Sequence, residues 1–320
     1  MNELFCTDSL QYLPTYAELA DLRSTFIANC VLNICLTYTF IMLNIVTIYA
    51  IRKTSTMAKT LKTLLLSLAC SDVAVGLFTQ PLYSFHLIKW LQLDNPSCNT
   101  RQMWIISNLL FLAASILGVV AVSVDRFLAV HLHLRYQELV THKRVVIVVI
   151  GMWVYSAFGS LTILWVPFSS QYLISLVFMS FIFILTFVVY IRIYLTVRRH
   201  RNLIQSMQIR DEARSDEMKN FAVLIKSTVG IFFVFVVFLI CYLPGFVCTA
   251  AIGIYGSKSA LKKLNLFSLT LVYLNSSLNP VIYCWKMRRI RHAIMGILWK
   301  VYRRRNLSSR VIYNRRWSVV

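Results

Sequence analysis

Residues 231–254 read IFFVFVVFLICYLPGFVCTAAIGI, a run of 24 residues without a charged side chain. A helix needs about 20 mostly apolar residues to cross the hydrocarbon core of a bilayer. This run therefore predicts a membrane-spanning helix.

Other stretches of the chain share this character and are separated by short polar connections. The seven predicted spans are Phe26–Ile51, Leu61–Leu87, Met103–Val130, Val145–Val166, Tyr172–Val197, Phe221–Ile254 and Leu264–Trp285. The predicted fold class is all-α, a seven-transmembrane helix bundle. Only Pro167–Gln171 joins the fourth span to the fifth, so we expect neighbouring helices and no long lid on the outer face.

The composition agrees with lipid as the main solvent of the chain. Hydrophobic residues make up 58% and charged residues 14%, which is more apolar surface than one soluble core buries. The formal net charge of +21 would suit a nucleic-acid-binding surface, but such a surface does not account for long uncharged runs, and no nucleic-acid partner is expected.

The basic residues predict the orientation, because Lys and Arg are retained on the cytoplasmic side during insertion. They are concentrated in the first, third and fifth connections and after the last span. We expect a multi-pass plasma-membrane protein with its N-terminus extracellular and its C-terminus cytoplasmic. The predicted segments are an extracellular tail (1–25), the seven-transmembrane domain (26–285), an amphipathic membrane-surface helix (286–301) and a basic cytoplasmic tail (302–320).

Asp72 lies midway along the second span, where a carboxylate facing lipid would cost about 2.5–3.5 kcal/mol or more. We therefore expect it to face the bundle interior. Its candidate partners are polar residues of other spans: Asn44, Ser115, Asn275, Ser276 and Asn279. These oxygens suit a hydrated sodium ion; the alternative is a hydrogen-bonded network around a protonated Asp72.

Asp125 and Arg126 lie at the cytoplasmic end of the third span, where an isolated pair of charges is often merely snorkelling. Here the pair belongs to an ordered set of motifs: Leu43-Asn44, LACSD at 68–72, SVDRF at 123–127, Trp153, CYLP at 241–244 and NPVIY at 279–283. This set resembles the signature of rhodopsin-like (class A) G-protein-coupled receptors in every span except the fifth.

The resemblance implies an activation switch. In this switch, the Arg126 side chain pairs with Asp125 while the receptor is inactive. It turns toward a G-protein peptide when the receptor is active. Pro244 and Pro280 would let the sixth and seventh helices bend, although a static kink is the alternative reading of each proline. The remaining implied members are Tyr190, Phe238, Tyr242, Asn279 and Tyr283, with Tyr190 facing Tyr283 in the open state.

Several positions depart from the family pattern. Tyr242 replaces the usual tryptophan, Phe127 replaces the usual tyrosine after Arg126, and no acidic residue occupies the inner start of the sixth span near Leu224. The last departure weakens a restraint on Arg126, so elevated basal activity is a hypothesis.

The outer connections depart from it as well. The 167–171 connection has no cysteine, and Cys98 precedes the family's cysteine position, here Arg101, by three residues; Cys98 then either pairs with Cys6 or remains free. These features, with a fifth span that lacks proline, are similar to the melanocortin, cannabinoid, lysophospholipid and adenosine receptor group.

The resemblance also places a ligand pocket toward the outer face. The implied lining, which contains no carboxylate, is Leu82, His86, Asn108, Phe111, Tyr172, Phe246, Thr249 and Tyr273. Asn108 stands where amine receptors carry an aspartate, and Tyr273 stands where opsins carry the retinal lysine, so neither a cationic amine nor retinal is expected. Cations near the rim would either attract an anion or contact lipid headgroups; they are Lys89, Arg101, Lys262 and Lys263.

The predicted function is that of a receptor that binds a small or lipid-derived ligand and activates heterotrimeric G proteins by outward movement of the sixth helix. The expected partners are a G protein, membrane lipids, and an arrestin recruited when receptor kinases act on Ser308, Ser309 and Ser318. The alternative reading is that these three are ordinary solvated tail serines. A seven-helix transporter or channel is the alternative, although internal repeats and charged residues along a path are lacking. No enzymatic activity and no cofactor other than an allosteric sodium ion are expected.

Overall fold

The computed structural model describes residues 5–7, 13–54, 57–132, 135–207, 215–256, 258–286, 290–296 and 299, without the side chains at 168, 169, 172, 197, 199–207 and 215–230. The described residues form an all-helical bundle, which confirms the predicted fold class. Its long helices are α1 (Arg23–Lys53), α2 (Lys59–Leu91), α3 (Cys98–Leu132), α4 (His142–Leu161), α5 (Phe168–Met207), α6 (Ser215–Tyr255) and α7 (Ser259–Lys286).

Six of these helices are long and apolar enough to cross a membrane by length and hydropathy, within the described residues. The seventh, α7, falls short because much of its inner face is polar. Its buried polar side chains are Ser268, Thr270, Asn275, Ser276, Ser277 and Asn279. A helix that turns such groups toward its neighbours can span a bilayer with a modest mean hydropathy.

The helix α3 is central to the bundle and packs against α2, α4, α5 and α6, whereas α1 packs against α2 and α7. On α4 and α5, large apolar side chains such as Ile147, Phe158, Val177 and Phe181 point outward and are more than 60% exposed. An apolar surface of this kind is stable when lipid tails cover it.

A π-helical turn, Val75–Thr79, interrupts α2 just before Pro81. The N–H of Gln80 bonds to the carbonyl of Val75, five residues back. The proline that follows has no N–H to donate and its ring would clash with the carbonyl four residues before it, and a wider turn relieves that clash. The wider turn shifts the register of the outer half of α2, and this shift decides which of its side chains face the interior.

The N-terminal segment is folded onto the outer face of the bundle. A short helix, Tyr16–Asp21, begins with a capping box in which Thr15 and Glu18 bond reciprocally, and Leu19 and Leu22 are buried against the bundle. Cys6 and Cys98 form a disulfide, with Cα atoms 5.7 Å apart. We call residues 5–7 and 13–22 together the N-terminal strap, and it covers part of the face that the short 167–171 connection leaves open.

At the cytoplasmic end, residues 290–296 are helical and Ile290 is fully buried. The other residues of the predicted amphipathic helix lie largely outside the described residues. The tail serines Ser308, Ser309 and Ser318 also lie outside them.

Candidate functional site

A cavity of about 340 Å³ opens toward the outer half of the bundle between α3, α5, α6 and α7. Its lining is mainly apolar, with a few amides and hydroxyls and no charged side chain among the described residues: Trp104, Ile105, Asn108, Leu109, Leu112, Ala113, Ile116, Gln171, Ser175, Leu176, Phe178, Met179, Tyr242, Gly245, Phe246, Thr249, Asn265, Leu269 and Val272. A pocket of this size and character is typical of a site for an uncharged small molecule.

Of the predicted pocket residues, Asn108, Phe246 and Thr249 line this cavity. The side chain of Tyr172 lies outside the described part of the chain. The others lie elsewhere: Leu82, His86, Phe111 and Tyr273 are not on the cavity surface.

An aromatic wall separates α2 from the cavity. The Trp104 ring, which lines the cavity, lies 5.6 Å from Tyr83 and 5.1 Å from His86, between ring centroids. Tyr273 meets Tyr83 edge-on at 5.5 Å and closes the α7 side of the wall. His86 is therefore behind Trp104, fully buried, with Nδ1 2.6 Å from the carbonyl of Leu82.

Phe111 turns toward the opposite side of α3. It stacks on Phe78 of α2 at 5.7 Å and meets Trp153 of α4 at 6.4 Å. Leu112 and Ile116, which follow Asn108 on one face of α3, also line the cavity. Helical spacing from Asn108 predicts both positions, although they were not among the predicted pocket residues.

Three lysines of the outer rim, Lys89, Lys262 and Lys263, are paired with acidic groups of the chain. Lys262 bonds to Glu18 at 2.7 Å and to the carbonyl of Leu13 at 3.1 Å, and Lys263 bonds to Asp21 at 3.0 Å. Lys89 pairs with Asp94 at 2.9 Å. Arg101 is buried, with the Phe5 ring 6.0 Å from its guanidinium carbon. Acidic groups of the chain itself thus occupy the lysines that were expected to attract an anion or contact headgroups.

This pairing lowers the pKa of the two acidic side chains of the strap, Glu18 and Asp21. Partial burial tends to raise the pKa of Glu18, but bonds from Lys262 and Thr15 outweigh it and hold the pKa below its ordinary value of 4.5. Bonds from Ser259 and Lys263 lower the pKa of Asp21 below 3.8. Both carboxyls are therefore charged, and the strap is held, at neutral pH.

A column of aromatic rings runs inward from the cavity. Tyr242 lines the cavity and lies 4.5 Å from Phe238, between ring centroids. Phe238 lies 6.4 Å from Phe235, which stacks on Tyr190 at 4.4 Å. The Tyr190 hydroxyl donates to the carbonyl of Ile231 at 3.1 Å and lies 2.9 Å from the Ser123 hydroxyl. The column therefore ends in a hydrogen-bonded link between α3, α5 and α6.

Arg126 folds back onto Asp125 beside this link. Its Nε donates to Asp125 Oδ2 at 3.0 Å, Nη2 bonds to the same oxygen, and both residues are buried. Tyr136, in the short helix Tyr136–Leu139, donates to Asp125 Oδ1 at 2.6 Å and lies 3.1 Å from the Thr60 hydroxyl. Burial and then the Asp125 carboxylate raise the pKa of Tyr136 to about 12, so its hydroxyl remains a donor at neutral pH.

Tyr190 and Tyr283 are not joined in this conformation. The Tyr190 hydroxyl is committed to the link described above, and the Tyr283 hydroxyl is buried without a hydrogen-bond partner among the described residues. Pro244 and Pro280 lie inside α6 and α7, respectively.

Asp72 lies fully buried between these two ends of the bundle and accepts bonds from Ser115 at 3.3 Å and from Asn279 at 2.9 Å. Asn44 donates to the carbonyl of Ser276 at 2.9 Å. Several buried polar atoms of this cluster have no partner among the described residues: Asn44 Oδ1, Asn275 Oδ1 and Nδ2, Ser276 Oγ and Asn279 Oδ1. Unpaired buried oxygens beside a carboxylate fit a hydrated cation, because buried polar groups are otherwise nearly always satisfied.

Comparison with known proteins agrees with this arrangement. The profile of the family "7 transmembrane receptor (rhodopsin family)" matches residues 43–171 and 163–283. The adenosine receptor A2b of Gallus gallus is 25% identical over 300 residues, covering 81% of this chain and 84% of that protein. The histamine H2 receptor of Canis lupus familiaris is 27% identical over 254 residues, covering 72% and 67%. Squid rhodopsin superposes with a TM-score of 0.75 at 16% identity, covering 87% of each chain.

Proposed function

Because this chain belongs to the rhodopsin family of seven-transmembrane receptors, we propose that it is a plasma-membrane receptor for an uncharged small or lipid-derived molecule. Membership of this family makes it a receptor and not an enzyme, transporter or channel. The ligand occupies the cavity between α3, α5, α6 and α7, and the response is activation of a heterotrimeric G protein.

The lining of the cavity supports an uncharged ligand. Its described residues offer amides and hydroxyls but no carboxylate that would neutralise an ammonium group. A buried charge without a partner is costly, so a cationic amine gains little there. Lys89, Lys262 and Lys263 are already paired with acidic side chains, which reduces the attraction of the rim for an anionic ligand.

One observation carries the signalling proposal: Tyr242 both lines the cavity and begins the aromatic column that ends at Tyr190. An agonist that displaces Tyr242 disturbs the packing of Phe238 and Phe235. The bonds of Tyr190 to Ser123 and Ile231 then break, and α6 swings outward about Pro244. A ligand shifts such an equilibrium only by contacts that differ between the two states.

The same movement exposes Arg126. In the closed conformation its guanidinium is held by Asp125, which Tyr136 fixes in place. When α6 moves away, Arg126 turns from Asp125 toward the C-terminal helix of a Gα subunit. Phosphorylation of tail serines by receptor kinases and binding of an arrestin would end the signal.

The proposed orientation places the strap outside the cell. A disulfide persists in an oxidising compartment, and Cys6–Cys98 lies at the end of the bundle opposite the Asp125–Arg126 pair. The exposed arginines and lysines at the other end would lie against the anionic inner leaflet.

A sodium ion in the Asp72 cluster would stabilise the closed state. Asp72, Ser115, Asn275, Ser276 and Asn279 are the residues that would hold it. When bound, the ion supplies positive charge that neutralises the buried carboxylate.

The test is G-protein activation in cells that express the wild type, Arg126→Ala or Arg52→Ala, with several Gα classes and with surface expression matched. Arg52 is an exposed arginine at the cytoplasmic end of α1 and serves as the control. We expect a wild-type signal above mock-transfected cells that Arg126→Ala abolishes and Arg52→Ala retains. Equal signals from the wild type and Arg126→Ala would contradict the proposed switch.

A further inference from the structure

Three polar side chains form a hydrogen-bonded chain at the α3–α7 edge of the cavity. The indole N–H of Trp104 donates to the Tyr273 hydroxyl at 3.3 Å. That hydroxyl donates to Asn108 Oδ1 at 2.9 Å. Trp104 and Asn108 line the cavity, whereas Tyr273 is fully buried behind them.

The order of donors in this chain follows from chemistry. An indole nitrogen is only a donor, so the Tyr273 oxygen must be the acceptor of that bond. The hydroxyl has one hydrogen of its own, and leaving it unpaired in a fully buried position would be unfavourable. Its acceptor is Asn108, which must therefore turn its carbonyl oxygen, and not its NH2 group, toward Tyr273.

The NH2 group of Asn108 is then left for the cavity. No acceptor bonds to it among the described residues, and Asn108 is only partly buried, on the cavity lining. The cavity thus presents a fixed hydrogen-bond donor at a position where no negative charge is available.

We infer that Tyr273 is a positioning residue that fixes the Asn108 amide as a donor, so that the cavity selects a neutral ligand carrying a hydrogen-bond acceptor, such as a carbonyl or ring nitrogen. This inference rests on the proposed function only in taking the cavity as the ligand site. A protonated amine meets a second donor there and is rejected, whereas a carbonyl at the same place completes the chain from Trp104 through Tyr273 and Asn108.

The experiment uses matched probe pairs: an aryl lactam, and the cyclic amine in which methylene replaces the carbonyl. Binding to the purified full-length receptor is measured by thermal unfolding over a range of probe concentrations. We expect the lactam of each pair to half-saturate the wild type at a concentration roughly tenfold lower than its amine partner does. A ratio of this size corresponds to the cost of leaving one buried donor unpaired.

Variants separate positioning from general structural support. In Tyr273→Phe the Asn108 amide is free to turn its oxygen inward, so the lactam-to-amine ratio should fall toward one because amines gain affinity. Loss of packing alone would weaken both probes equally. Asn108→Asp should reverse the preference, and Tyr83→Phe, a buried tyrosine of the same aromatic wall that does not bond to Asn108, should keep the wild-type ratio.

The inference is overturned if no lactam stabilises the wild type, if amines bind it as well as lactams, or if Tyr273→Phe leaves the ratio unchanged. Signalling is measured separately on the same proteins. The receptor could bind lactams selectively and yet activate no G protein, either with or without a lactam. That result would contradict the proposed function and leave this inference standing.

Discussion

Asp72 is surrounded by buried polar atoms that lack hydrogen-bond partners among the described residues. It is fully buried, and its neighbours Asn44, Asn275, Ser276 and Asn279 each hold at least one buried polar atom without a partner among the described residues. Leaving such an atom unpaired costs about 1–3 kcal/mol. A hydrated cation would satisfy several of these atoms at once, and this is the physical basis for the proposed sodium site.

This residue therefore leads to a prediction about salt. Replacing choline chloride by sodium chloride at constant ionic strength should raise the Tm of the purified wild-type receptor. At a sodium concentration ten times its Kd, binding adds about 1.4 kcal/mol to the free energy of unfolding. Asp72→Asn removes the charge and should abolish the sodium effect. A variant that still responds to sodium, or a wild type that does not, would support the hydrogen-bonded network without an ion.

At the scale of the helices, aromatic and cation–π contacts hold the cytoplasmic half of α6 against α7. The side chains at its inner start, including that of Leu224, lie outside the described residues. Further along, the Phe233 ring lies 5.4 Å from the Trp285 ring of α7. The Lys286 ammonium lies 3.8 Å from the centroid of Phe233 and 3.5 Å from that of Trp285. These cation–π contacts hold α6 against α7.

Breaking this contact should favour the open state. A cation–π contact contributes about 0.5–1 kcal/mol at an exposed site and about 2 kcal/mol when desolvated. Lys286→Gln should therefore raise basal G-protein activation by roughly two- to fivefold at equal surface expression, whereas Lys286→Arg should keep the wild-type level. If Lys286→Gln signals no more than the wild type, this contact does not restrain α6. The same assay tests the hypothesis of elevated basal activity, by comparing wild type with mock-transfected cells.

At the scale of the whole molecule, the strap connects distant parts of the chain. The disulfide joins residues 92 positions apart and anchors the strap to α3. The bond from Lys262 to Glu18, across 244 positions, anchors it to α7. The strap thereby ties the outer ends of α3 and α7 together.

The charged anchor gives a prediction about the stability of the strap. The pKa of Glu18 and of Asp21 is lower in the folded protein than its ordinary value, so each stabilises the strap above that value and loses the contribution as pH falls through the folded pKa. Glu18→Gln should therefore speed amide hydrogen exchange in residues 16–22 by roughly three- to fivefold at neutral pH, because a surface pair contributes up to about 1 kcal/mol. Asp94→Asn, the matched change in the Lys89 pair, should leave that exchange unaffected. Equal exchange in Glu18→Gln and the wild type would show that the pair does not hold the strap.

The number and class of the helices could be read from the sequence because both depend on local properties. A run such as 231–254 must be helical and must lie in lipid, whatever its neighbours are. The same holds for adjacent groups, since Asp125 and Arg126 can pair from neighbouring positions at the end of any helix. The need to bury Asp72 also follows from its charge alone.

Which α2 and α7 side chains lie away from the cavity was decided only in the folded bundle. The π turn before Pro81 shifts the outer half of α2, and Trp104 then screens His86 from the cavity. Lys262 is paired with Glu18 only because the strap folds back over α7. These contacts join residues far apart in sequence and depend on the rotation of each helix about its own axis. Hydrophobic patterning determines whether a helix forms, but packing against its neighbours determines that rotation.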